Sequence, residues 1–108
     1  MSAFFDIEMR VGKVIKAESF REARKPAIKL WVDFGNKVGI KKSSAQITVN
    51  YSPETLIGKL VIGVTNLEPR QIGPFISEVL ILGVNGIKEN EIVLLCPEKP
   101  VKLGSRVH

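Results

Sequence analysis

Residues Val61 to Gly83, VIGVTNLEPRQIGPFISEVLILG, carry the pattern that decides the fold. Leu60, Ile62 and Val64 alternate with Val61, Gly63 and Thr65, the period of two that sends successive side chains to opposite faces of a sheet. A second run follows, in which Ile76, Leu80 and Leu82 share one face with Glu78 while Ser77, Val79 and Ile81 share the other. A carboxylate on a mostly apolar face calls for a partner. Between the runs, Asn66 to Pro74 gathers Asn66, Glu68, Arg70, Gln71 and Gly73, a set of polar recognition groups held on a loop between two strands.

Working outward, the flanking sequence repeats the same theme of short strands and turns. Arg10 to Ser19 reads as a strand, and Phe20 to Pro26 as a charged connection closed by a proline. Ala27 to Phe34 shows the clearest alternation, with Ile28, Leu30, Val32 and Phe34 marking the core face and Lys29, Trp31 and Asp33 the other. Trp31 is then an exposed stacking platform, a residue covered by a subunit partner, or one packed under a neighbouring loop. Gly35 and Asn36 turn the chain into a third strand, Gly39 to Ile47, whose Ile40, Lys42, Ser44 and Gln46 share a largely polar side. Tyr51 to Gly58 predicts one helical turn, with Ser52 as cap, Pro53 at the first helical position and Gly58 just past the end. Asn85 and Gly86 form a turn, Glu91 to Cys96 is a further strand, and Pro97 leads into a tail. That order predicts an all-β domain: a five-stranded Greek-key barrel of the OB type, with a short helix after the third strand and added terminal elements.

The 108 residues, 44% hydrophobic, suit one domain over residues 1–108. No apolar run approaches the ~20 residues of a membrane helix, and the first ten residues lack the pattern of a signal peptide, so the expectation is a cytoplasmic protein with no membrane insertion. One cysteine excludes an internal disulfide, and with a single histidine as well a four-ligand zinc site is not expected; no metal and no cofactor are expected. Cys96 closes the apolar run IVLLC and reads as a buried core thiol. With no glycine-rich phosphate loop, no paired-carboxylate motif and the lone histidine at position 108, no catalytic residues are assigned and an enzyme is not expected. The net charge of +5 permits an anionic partner, and the basic excess lies in the first part of the chain. Ser2 caps an expected short helix over residues 3–8, whose Phe4, Phe5 and Ile7 are too apolar for an element that short to stand alone. Together with the tail over residues 97–108, which carries Val101, Leu103 and Val107, this helix is expected in a homodimer interface.

Several stretches taken together, DIEMRVGKVIKAE, KLWVDFG, SSAQI before YSPETLIGK, VIGVTNLEPRQIG and SEVLILG, resemble the tRNA-binding OB-domain family, and within it the CsaA-type secretion chaperones. The resemblance runs through nearly the whole chain in order. Ser43 to Ile47 and Ser77 to Leu80 are similar to the chaperone branch; the RNA-binding branch more often places a methionine shortly after that serine, where this chain has Val79 and Leu80. The resemblance implies a cytoplasmic homodimer with Asn66, Arg70, Gly73 and Ser77 lining a concavity. It also implies one of two functions: holding unfolded or preprotein segments for the export machinery, or binding structured tRNA like the domains appended to methionyl-tRNA synthetases.

The residues themselves support two candidate sites. An apolar groove near Trp31, Phe75 and Ile76, flanked by Ser44, Gln46, Asn66, Arg70, Ser77 and Glu78, suits a peptide. Lys29, Lys41, Lys42 and Arg70 suit RNA phosphates, with Trp31 stacking on a base. Arg70 offers a planar fork for a carboxylate or phosphate, unless Glu68 or Glu78 takes it, and Asn66 reads a ligand backbone unless its own loop takes it.

Overall fold

A computed structural model describes residues 6–108. Most of the expected N-terminal helix, with Phe4 and Phe5, falls outside that range. The long first strand organises the rest: β1 (Met9–Ser19) pairs antiparallel with β4 (Leu60–Val64) through its first half and with β2 (Ile28–Asp33) through its second. A register shift between Val14 and Lys16 marks a bulge at the change of partner, the device by which a strand bends to serve both sides of a barrel. β2 pairs in turn with β3 (Ile40–Ala45), and β4 with the short β7 (Leu80–Ile81), giving the order β3-β2-β1-β4-β7. The outer strands of this order approach each other and nearly close the expected OB-type barrel. Two hairpin ribbons stand apart from it, β5 (Arg70–Ile72) with β6 (Phe75–Ser77) and β8 (Gly83–Asn85) with β9 (Ile92–Leu94).

The inward face of β2 is as the alternation predicts. Ile28, Leu30, Val32 and Phe34 are all buried and pack with Val14, Val61, Val79 and Ile81. Gly12 and Gly63 are small for a packing reason: a Cβ at Gly12 would stand 2.5 Å from Val32 Cγ1 and 2.8 Å from the Phe34 ring, and one at Gly63 would stand 2.9 Å from the same ring. Phe34 therefore occupies the space that two strand residues leave empty. Helix α1 (Pro53–Leu56) plugs one end of the barrel with its fully buried Leu56. Thr55 Oγ1 accepts the Ser52 N–H at 3.0 Å at its start, and Gly58, at φ 87°, donates to Val14 O at its end, tying the helix to the bulge.

The expected single strand from Ile76 to Leu82 is divided into β6 and β7. At Glu78 and Val79 both backbone N–H groups turn to Lys42 O, so the strand changes partner in mid-run. Val79 and Ile81 face the core, while Ile76 and Leu80 on the face of Glu78 are exposed. Cys96 is exposed, not buried as its apolar neighbours suggest. Regular pairing ends at Leu94, and the chain leaves the ribbon before reaching Cys96, which lines a surface hollow with Tyr51 and Lys59. The C-terminal tail has its own cover: Gly104 N–H donates to Val11 O, Val11 N–H to Ser105 O and Val107 N–H to Met9 O, so residues 104–107 lie along the edge of β1 opposite β4.

Candidate functional site: an aromatic face, two clefts and a seam

Register decides which predicted residues meet. Lys29 pairs with Ser44 and Trp31 with Lys42, which puts these four side chains on the outer face of β2 and β3. Lys41 pairs with Val32 and leaves from the other face, away from Lys29 and Lys42. The β5–β6 hairpin, whose Gly73 takes the φ of 56° that a two-residue loop requires at its first position, folds Phe75 onto that outer face. There Phe75 lies edge-on to Trp31, with ring centroids 5.8 Å apart, and edge-on to Phe20 at 5.5 Å. Trp31 is thus half-buried under a neighbouring hairpin, one of the three placements open to it from sequence.

Three ammonium groups lie over these rings. Lys16 Nζ is 4.5 Å from the centre of Trp31, Lys29 Nζ is 5.1 Å from Phe20 and 5.5 Å from Phe75, and Lys42 Nζ is 5.3 Å from Phe75. Attraction to the ring faces favours the cations there; Lys16 Nζ also pairs with Glu18 Oε2 at 3.4 Å, while Lys29 and Lys42 make no ion pair among the described residues. Lys16 and Phe20 were not among the sequence candidates. Their signal is the pairing of Lys16 with Trp31 across β1 and β2, which depends on the bulge and is invisible to alternation alone.

Beside this face lies a cleft of about 240 Å³ lined by Ser44, Leu67, Glu68, Arg70, Ile72, Ser77, Glu78, Val79 and Leu80. Arg70 is exposed on its wall, and its guanidinium makes neither a hydrogen bond nor an ion pair among the described residues, so the pairing with Glu68 or Glu78 does not form. Glu78 and Ser77 are occupied in closing the barrel. Glu78 Oε1 accepts the Lys42 N–H at 3.0 Å, Glu78 N–H donates to Lys42 O at 2.7 Å, and Ser77 Oγ accepts the Ser44 N–H at 3.2 Å. Buried Ser43 completes the latch, its hydroxyl donating to Val79 O at 2.8 Å. The carboxylate that calls for a partner on an apolar face finds a backbone N–H.

Asn66 lies away from both features. Its Oδ1 accepts the Glu8 N–H at 2.9 Å and its Nδ2 donates to Asp6 O at 2.8 Å, so it pins the segment before β1 in place of its own loop. Glu8 continues this knot. Its carboxylate accepts from Arg10 Nε and from Thr65 Oγ1, both at 2.8 Å, and these bonds hold its pKa below the usual carboxylate range. Gln46 lines a second and larger cleft, of about 830 Å³, on the side of the barrel where β3 runs out.

These features sit within a fold that matches known proteins from end to end. A family model for the tRNA binding domain matches residues 9–106. The chain belongs to this family. Among solved structures, it is similar to the chaperone CsaA from Bacillus anthracis, with 42% identity, a TM-score of 0.91 and coverage of 100% of this chain and 99% of that one. It is also similar to a MetRS related protein from Pyrococcus horikoshii, at 32% identity and a TM-score of 0.84, covering 98% and 94% of the two chains. A curated relative, the methionine–tRNA ligase of Archaeoglobus fulgidus, is 38% identical over 104 residues, which make up 96% of this chain and 15% of the ligase. The chain thus spans only a small part of that enzyme's length. Within the family fold, Ser77 belongs to the latch of the barrel, Arg70 and Ser77 line the smaller cleft, and Asn66 belongs to the N-terminal knot.

Proposed function

We propose that the protein is a non-catalytic, cytoplasmic chaperone that holds unfolded or preprotein segments for the export machinery as a homodimer. The observation that carries this reading is the larger cleft, whose walls include the half-exposed Val49 and Leu80 and whose rim holds one charged side chain, Lys25. Such a surface suits an apolar polypeptide better than a phosphate chain. End-to-end similarity to a CsaA chaperone structure supports it. The dimer is supported by the β8–β9 ribbon, which leaves Val84, Val93, Leu95 and the fully exposed Ile87 without apolar cover among the described residues.

The test uses Trp31, the only tryptophan, as reporter of ligands reaching the face beside the clefts. A permanently unfolded polypeptide is expected to shift its fluorescence almost equally at low and high ionic strength, because apolar contact is not screened. A response to tRNA at low salt with none to polypeptide at any salt refutes the chaperone reading.

A second reading is favoured by a separate observation, the three lysines over the rings of Trp31, Phe20 and Phe75. Phosphates drawing those ammonium groups aside would free an aromatic face for a splayed base, the mode of a tRNA-binding module. Steep loss of tRNA affinity with salt is its signature.

A further inference from the structure

The seam between β3 and β7 is latched along one part and open along the next. In an antiparallel strand the N–H and C=O of one residue point to the same edge. Ser44 donates its N–H across the seam to Ser77 Oγ, so its carbonyl faces the seam as well, and it meets no donor among the described residues. On the opposite side, Leu82 N–H bonds to Ile62 O, which makes Gly63 and Ile81 the pair that exchanges no hydrogen bond. The N–H and C=O of Ile81 therefore face away from β4, toward the end of β3, and they too lack partners among the described residues. Between these two edges the seam widens into the 830 Å³ cleft, walled by Ile47, Val49, Leu80, Ile92 and Leu94.

Unpaired peptide groups on two facing edges, above apolar walls, form a strand slot. We infer that this seam binds an extended polypeptide segment as an added strand, its peptide groups meeting Ile81 on one side and Ser44 on the other. Its alternate side chains lie on the apolar walls. The slot takes segments that are apolar at every second position and neutral or acidic overall, because among the described residues Lys25 is the one charged side chain that lines it. An RNA strand is disfavoured by the same count, since one ammonium group neutralises one phosphate and the polar residues of the lining, Gln46, Thr48, Asn85 and Asn90 among them, bring no further positive charge. The inference rests on the peptide-holding function proposed above and adds the mode of binding and the class of segment.

The test compares two synthetic peptides of about nine residues, long enough to cross a sheet edge. Both alternate valine with threonine and end in a glutamate; one carries an N-methyl group on each of two adjacent central residues, which removes N–H groups facing both edges while keeping every side chain. The plain peptide is expected to slow hydrogen exchange of the Ile81 amide, and the methylated one to bind about tenfold or more weakly, the size of one to two lost hydrogen bonds. Leu80→Asp, at an exposed position, is expected to weaken the plain peptide comparably while leaving the fold intact by circular dichroism. Equal binding of the two peptides with no change at Ile81 overturns the strand mode and leaves peptide holding in place. Absence of binding by either peptide, with an unfolded polypeptide still shifting Trp31, also overturns the strand mode alone; silence with the polypeptide as well overturns both. Protection of Ile81 by tRNA but not by peptide assigns the slot to RNA and overturns the inference.

Discussion

Replacing Trp31 by alanine separates the outer face of β2 from its inner one. The indole is half-buried, makes one edge-on contact with Phe75 at 5.8 Å and carries one ammonium group 4.5 Å above it. An aromatic pair contributes about 1 kcal/mol, a cation over an exposed ring about 0.5 kcal/mol, and partial burial of the ring about 1 kcal/mol. Trp31→Ala is therefore expected to cost roughly 2–2.5 kcal/mol. Phe34, wholly buried against Gly12 and Gly63, is expected to cost about 3–5 kcal/mol on the same truncation because it leaves a cavity. In urea, with a slope of about 1.5 kcal/mol per molar, the two midpoints should differ by about 1 M. The smaller ring should thus be the more damaging loss. Equal midpoints for Trp31→Ala and Phe34→Ala would show that Trp31 is core, and the reasoning that makes its face a ligand surface would be wrong. If a base stacks on the ring, the same variant should lose about 1–3 kcal/mol of tRNA affinity, read by titration at low salt.

Gly12→Ala adds one methyl group to a site where Val32 and Phe34 have no room to move; a destabilisation of about 1–3 kcal/mol is expected, and a stability equal to or above the parent's would remove the packing account. For Glu8, whose folded pKa is lowered by Arg10 and then Thr65, the stabilisation is full above the unfolded value near 4.5 and is lost as pH falls through the folded pKa. The stability gap between the parent and Glu8→Gln should accordingly be constant above about pH 5.5 and shrink in acid, and a gap unchanged down to about pH 3 would contradict it. If Lys16, Lys29 and Lys42 contact RNA phosphates, alanine at Lys29 and Lys42 together should lower the log-log salt slope by roughly 1.4, while alanine at Lys41, on the other face, should leave it unchanged. If the protein is the proposed homodimer, Val84→Glu with Val93→Glu on the exposed ribbon should give a folded monomer by light scattering, and a dimer that persists would place the interface elsewhere.

What was legible in the sequence follows the reach of periodicity. Alternation is a local signal, so the buried set of β2 and the capped turn of α1 stand where they are expected, the latter because Ser52, Pro53 and Gly58 each have a positional reason. Contacts between strands depend on register, which no stretch states by itself. Lys16 reaches Trp31 only because Ile15 bulges, and Lys41 and Lys42 part company because adjacent strand residues face opposite ways. The polar candidates divide for a related reason. Ser77, Glu78 and Asn66 read as recognition groups, yet each satisfies a backbone group 33 to 60 residues away, which becomes visible only when the barrel is assembled. Cys96 shows the opposite limit, since an apolar run predicts burial only while the strand that carries it stays paired.

The tail along β1 has a consequence for how the molecule assembles. Arg10 Nη1 donates to Gly104 O across 94 positions of sequence, and the peptide groups of Met9 and Val11 wait for the same segment. Until residues 104–107 arrive, the opening strand of the barrel keeps a naked edge on the side away from β4, the kind of edge that recruits other chains. Closing so long a loop carries an entropic barrier that grows as the logarithm of its length and slows the final step. Synthesis from the N-terminus therefore leaves this strand half-paired through nearly the whole of translation of these residues, and the nascent protein passes through a state with the same exposed strand edge that a holding chaperone would bind.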